Sequence, residues 1–108
     1  MKTIYYKTLI FAIANGRKGG YLLSTLEKLI DEGENLKNEL KLNDWGGKVL
    51  EGEDLERWCA KSVLYMDQYS VNEFLSEKVK ENARDLSDNG YKKYIAILGI
   101  LKAIYEYH

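Results

Sequence analysis

No proline interrupts the 108 residues of this chain. Proline ends or kinks helices because it lacks a backbone donor and clashes with the preceding turn. Helices in this chain must therefore end at glycine, asparagine or aspartate clusters. Such clusters stand at Gly16-Arg17-Lys18-Gly19-Gly20, Asp31-Glu32-Gly33-Glu34-Asn35, Asn43-Asp44-Trp45-Gly46-Gly47 and Asp88-Asn89-Gly90. Apolar residues recur at helical spacing between them. The pattern predicts an all-α fold, a compact bundle of about five short helices forming a single domain over 1–108.

The first expected helix covers 3–14, where Tyr5, Leu9 and Ile13 repeat every four residues. Its Ile, Tyr and Thr content also suits a strand. The glycine run at 16–20 is expected to break it. From Tyr21 onward, Leu22, Leu26, Leu29, Leu36 and Leu40 make a heptad-like stripe with Gly33 in the missing seat. Either one helix runs through Gly33 at a cost of ~1 kcal/mol, or Gly33 caps one helix and a second follows. Glycine just past Ile30 favours the break. The stripe could also serve as a seam between two copies of the chain, although it is shorter than the three to four heptads of a coiled coil.

Asn43 to Gly47 reads as a loop. Glu51, Glu53 and Asp54 then sit where acidic groups suit the positive end of a helix dipole. That helix carries Leu55, Trp58, Cys59, Ser62, Tyr65, Met66 and Tyr69 on one face. Ser70-Val71-Asn72-Glu73 has the pattern of a capping box. It predicts a helix with Phe74, Leu75, Val79, Ala83 and Leu86 turned inward. The last helix, over 91–107, is apolar on most sides, which predicts the central position in the bundle.

A chain of this size can bury roughly two thirds of its unfolded surface, so no metal or disulfide staple is required. The single cysteine cannot pair internally. Lys2 and Lys7 precede a six-residue apolar run, as in a secretory leader. The run is short, however, and Asn15-Gly16-Arg17-Lys18 follows where small residues would be cleaved. The apolar stretch 94–101 meets Lys102 and falls short of the ~20 residues a membrane span needs. The expectation is a cytoplasmic protein without membrane contact.

The inventory argues against catalysis. Histidine occurs only as His108, at the end of the chain. Cys59 has no histidine partner and no helix N-terminus to activate it, so it reads as a small buried hydrophobe. One Cys and one His make no zinc site. The segment starting at Asp85 begins like a calcium loop, but its twelfth position is Ala96 where a bidentate glutamate is required. The phosphate-loop pattern is absent, because Val49 follows Gly47-Lys48 in place of Ser or Thr. No catalytic residue, metal or cofactor is expected.

Charge is the remaining signal. The net charge is −1, yet residues 1–26 hold four basic groups and no acidic ones, while residues 27–56 hold ten acidic against four basic. An acidic cluster is ordinarily a solvated face. Its functional counterpart is a surface for a basic protein, where Asp44, Glu51, Glu53 and Asp54 steer association and Trp45 anchors it. Arg17, Lys18, Lys92 and Lys93 offer the second reading, a helical nucleic-acid-binding regulator with Asp88-Asn89-Gly90 as the turn.

A helical chain near a hundred residues, without catalytic groups and with an acidic, aromatic-bearing segment at 31–56, resembles the small immunity proteins that neutralise bacteriocin and contact-dependent-inhibition toxins. Small phage-encoded inhibitors of host defence systems share that build. The resemblance implies a bacterial inhibitor that binds a toxin, often a nuclease, and covers its basic active site. It rests on size, build and charge and transfers no individual residue.

Overall fold

The computed structural model describes residues 17–69 and 72–107, with side chains from position 24 onward. The order is α1 (Arg17–Asn35), a 3-10 turn (Leu36–Glu39), β1 (Lys41–Leu42), β2 (Lys48–Val49), α2 (Glu53–Tyr69), α3 (Glu73–Ala83) and α4 (Gly90–Tyr107). The helix expected over 3–14 lies outside the described residues. Instead of an all-α bundle of about five helices, the described part is mostly helical with four helices and a two-stranded antiparallel hairpin, Lys41 opposite Val49 and Leu42 opposite Lys48.

Two glycine signals resolve differently from the sequence expectation. Arg17 to Gly20 belong to α1, which therefore starts before Tyr21, while the break expected after residue 14 lies outside the described residues. Gly33 also lies inside α1, which runs on to Asn35. The absent side chain is what lets the helix continue there. A Cβ on Gly33 would stand 2.6 Å from Trp58 Cζ2 and 2.9 Å from Leu98 Cδ1. The glycine is a seat for the Trp58 ring, and that close packing offsets the ~1 kcal/mol propensity cost.

One core unites the four helices. Leu26, Leu29 and Leu36 of the leucine stripe are buried, and Leu40 packs against them half-buried, so these residues serve the interior of this chain. The α2 face forms as the spacing predicts, with Leu55, Trp58, Cys59, Ser62, Tyr65 and Met66 buried. Ser62 hydrogen-bonds the Trp58 carbonyl at 3.0 Å. Helix α4 is central, packing on all three other helices and on β2. It buries Tyr94, Ile97, Leu98, Leu101 and Ile104 and leaves Ile95 largely exposed.

Helix α3 opens at Asn72, whose side-chain oxygen accepts from Leu75 N at 2.9 Å. The cap therefore falls two residues beyond the expected Ser70, which lies outside the described residues. Asparagine caps as well as serine does. Phe74 faces outward instead of inward, 67 % exposed, with Lys78 Nζ 5.8 Å from its ring centroid, because Leu75 and Val79, four residues apart, take the core-facing side. Val79 is buried as expected.

Candidate interaction surface

The hairpin is built by five residues. Asn43 N donates to Gly47 O at 2.8 Å, and Gly46 N donates to Asn43 O at 3.0 Å. Gly46 takes φ +82°, a left-handed geometry that a glycine adopts at no steric cost. This is the three-residue loop in which a tight turn ends in a left-handed glycine. The Asn43 side-chain oxygen accepts from both Trp45 N (2.9 Å) and Gly47 N (2.7 Å). That Asx-type bracing holds the loop backbone in one shape.

Trp45 rides on this braced tip and is 91 % exposed. Leu42, on the adjoining strand, is exposed as well. Both ends of the hairpin are pinned, since Leu40 packs on the core and Leu50 is buried within it. Lys48 Nζ lies 5.6 Å from the Tyr91 ring centroid, a cation–π contact between β2 and the start of α4. An ordered turn holds this large apolar ring out in water. Folding gains nothing from it there.

The acidic members divide into two groups. Asp44 shares the tip with Trp45, and both are exposed. Glu51, Glu53 and Asp54 lie beyond the hairpin base, at the start of α2, and are exposed too. Arg57 reaches back to Glu53 at 2.5 Å and to Asp54 at 3.7 Å. Lys61 pairs with Glu32 at 3.2 Å, and Glu34 meets both Lys37 (2.7 Å) and Lys102. Such surface pairs each contribute about 0–1 kcal/mol, but they neutralise charge locally. The structure thus brings Asp44 and Trp45 together at the tip and sets Glu53 and Asp54 beside a basic partner of their own.

Two further groups belong to this region. Glu39 and Asp54 line one cleft of about 250 Å³ beside Trp58, together with Glu32, Arg57 and Lys61. The carboxyl of Glu39 is raised above the ordinary glutamate range, first by its hydrogen bond with Asp54 and then by desolvation. Asn43 is the other. The sequence signal for its role was the asparagine three residues before Gly46, a hairpin signature when short strands flank it.

Other candidates resolve simply. Cys59 is buried, and its thiol is pushed up to about 12 by burial and then by Glu56, the opposite of nucleophile activation. Among the described residues no cluster of three or more His, Cys, Asp or Glu could hold a metal ion. No helix among them is long and apolar enough to cross a membrane. Lys92 is exposed, Lys93 is tied to the Asp85 carbonyl, and the helix that carries them is committed to the core from Tyr94 onward. Arg17 and Lys18 sit in the first turn of α1. No family model, curated protein or solved structure matches the chain.

Proposed function

We propose that this protein acts by binding another protein, as a non-enzymatic inhibitor of the immunity type that neutralises a toxin, a nuclease among the candidates. The observation behind the reading is Trp45, 91 % exposed on a turn that the Asn43 side chain braces. A preformed tip loses little conformational entropy on docking, and tryptophan is among the residues enriched at binding hot spots. Asp44 adds a charge at the tip, and Glu51, Glu53 and Asp54 add a second contact at its base for a basic partner.

A tagged copy captured from its native lysate, with and without nuclease treatment, identifies the partner. The reading expects one protein that survives nuclease treatment. Its affinity should drop on Trp45→Ala and on charge reversal at Glu51, Glu53 and Asp54. Unchanged affinity in both variants would sink the reading. Recovery of duplex nucleic acid, with proteins lost after nuclease, would instead support a regulator using Arg17, Lys18, Lys92 and Lys93.

A further inference from the structure

The connection between α3 and α4 ends on Asn89-Gly90. Asn89 is exposed and is the non-glycine residue in the left-handed region among those described, at φ +58°. Its carbonyl accepts from Lys93 N at 3.1 Å, so it caps α4 and Gly90 is the first helical residue. The Gly90 N–H is therefore one of the first four in the helix, which have no intrahelical acceptor. Three other asparagine carboxamides are held. Asn43 accepts two N–H groups, Asn72 accepts one, and Asn82 donates to the Lys78 carbonyl at 2.8 Å. None of these three is followed by glycine.

We propose that Asn89 is a site of spontaneous deamidation, with water as the only co-reactant. The Gly90 nitrogen attacks Asn89 Cγ, and an N–Cγ bond forms while the carboxamide C–N bond breaks. Ammonia departs with the proton that the Gly90 amide gives up, leaving a five-membered succinimide. Water then adds at one of the two ring carbonyls, giving aspartate or isoaspartate at position 89. Glycine in the following position leaves the attacking nitrogen uncrowded, since no Cβ flanks it.

The two products differ in consequence. Aspartate keeps the main-chain acceptor for Lys93 N and places negative charge at the positive end of α4. Isoaspartate inserts a methylene into the main chain beside Gly90. There is no slack at that point, because even a Cβ on Gly90 would lie 2.6 Å from the Leu50 carbonyl oxygen. Leu50 anchors the outgoing end of the hairpin, so this product displaces the base of the Trp45 tip. That last consequence for binding rests on the proposed function, whereas the chemistry does not.

The test is peptide mapping by mass spectrometry of the folded protein aged in mildly alkaline buffer, beside a sample aged in urea. Isoaspartyl methyltransferase labelling separates the two products. The expected result is amide-to-acid conversion at Asn89 in the folded protein within about tenfold of its rate in urea, a barrier increase of no more than about 1.4 kcal/mol. Asn43, Asn72 and Asn82 should stay intact in the folded sample. The proposal is overturned if Asn89 keeps its amide while the urea sample converts, or if those three convert as fast. An Asn89→Asp variant should fold normally and show no amide-to-acid mass change at that position, which separates the deamidation step from any effect on folding.

Discussion

The Tyr94 hydroxyl donates a 2.6 Å hydrogen bond to the Gly33 carbonyl, across 61 positions of sequence. Gly33 lies in the last turn of α1, where carbonyls lose their intrahelical partners, so a residue of α4 satisfies the end of α1. One turn earlier, Trp58 Nε1 donates to the Leu29 carbonyl at 2.7 Å. Trp58 and Tyr94 lie against each other with ring centroids 5.4 Å apart. Two aromatic donors from two helices thus grip one edge of a third, and Gly33 leaves the room for them.

Gly33→Ala tests this arrangement because two effects oppose. Alanine gains ~1 kcal/mol of helix propensity, while the added methyl meets the Trp58 ring and costs about 1–3 kcal/mol through overpacking. A net loss is expected on urea denaturation. Tyr94→Phe should cost about 1–2 kcal/mol, because the Gly33 carbonyl stays buried without its donor. A stabilised Gly33→Ala variant would contradict the packing account.

Trp45→Ala should leave stability within about 0.5 kcal/mol of the parent and weaken partner binding by about 2 kcal/mol or more. The same variant loses the long-wavelength part of the tryptophan emission, leaving that of buried Trp58. Gly46→Ala is expected to cost about 1–2 kcal/mol, since alanine is strained at φ +82°.

The acid limb of stability should divide between two glutamates. Lys102 and then Lys37 hold Glu34 below the ordinary glutamate value of 4.5. Its contribution is therefore present above that value and lost as pH falls through the lowered one. Glu34→Gln should be less stable than the parent at neutral pH, with the gap closing under acid. Glu39 behaves in the opposite sense. Its value is raised beside Asp54, so its stabilising form is the protonated one, lost as pH rises through the raised value. Glu39→Gln should be more stable than the parent at neutral pH. Thermal melts across the acid range read both signs.

Cys59 should resist thiol reagents in the folded protein and react once the chain is unfolded. Burial and Glu56 keep it protonated at neutral pH, and the thiolate is the reactive form. Rapid modification under native conditions would show that the core opens locally around α2.

Long helices with a regular period were legible in the sequence. The buried face of α2 and the central place of α4 follow from spacing alone, because burial there repeats over four or more turns. Features decided by distant partners were not legible. Gly33 reads as a stop until Trp58 and Leu98 are known to fill its place. The hairpin has strands of two residues, too short to show alternation, so Asn43 to Gly47 reads only as a loop. The capping pattern at Ser70 competed with Asn72 two residues on, and Phe74 reads as inward until Leu75 and Val79 are seen to take the core-facing side. Of the candidate surface, the exposure of Trp45 was visible in its polar, glycine-rich setting. The pairing of Glu53 and Asp54 with Arg57 was visible only as helical spacing.

The ion pairs around the acidic segment change what a distant partner senses. Counted along the chain, residues 27–56 hold a large excess of carboxylates, but Arg57, Lys61 and Lys102 fold back onto Glu53, Asp54, Glu32 and Glu34. Opposite charges a few ångströms apart act from afar as dipoles, whose potential falls more steeply with distance than that of a lone charge. These three cations offset half of the net excess of the segment, and a Debye length of ~8 Å at physiological salt screens the remainder beyond the immediate surface. An approaching molecule is therefore guided over short range only, and selection falls to the geometry met on contact.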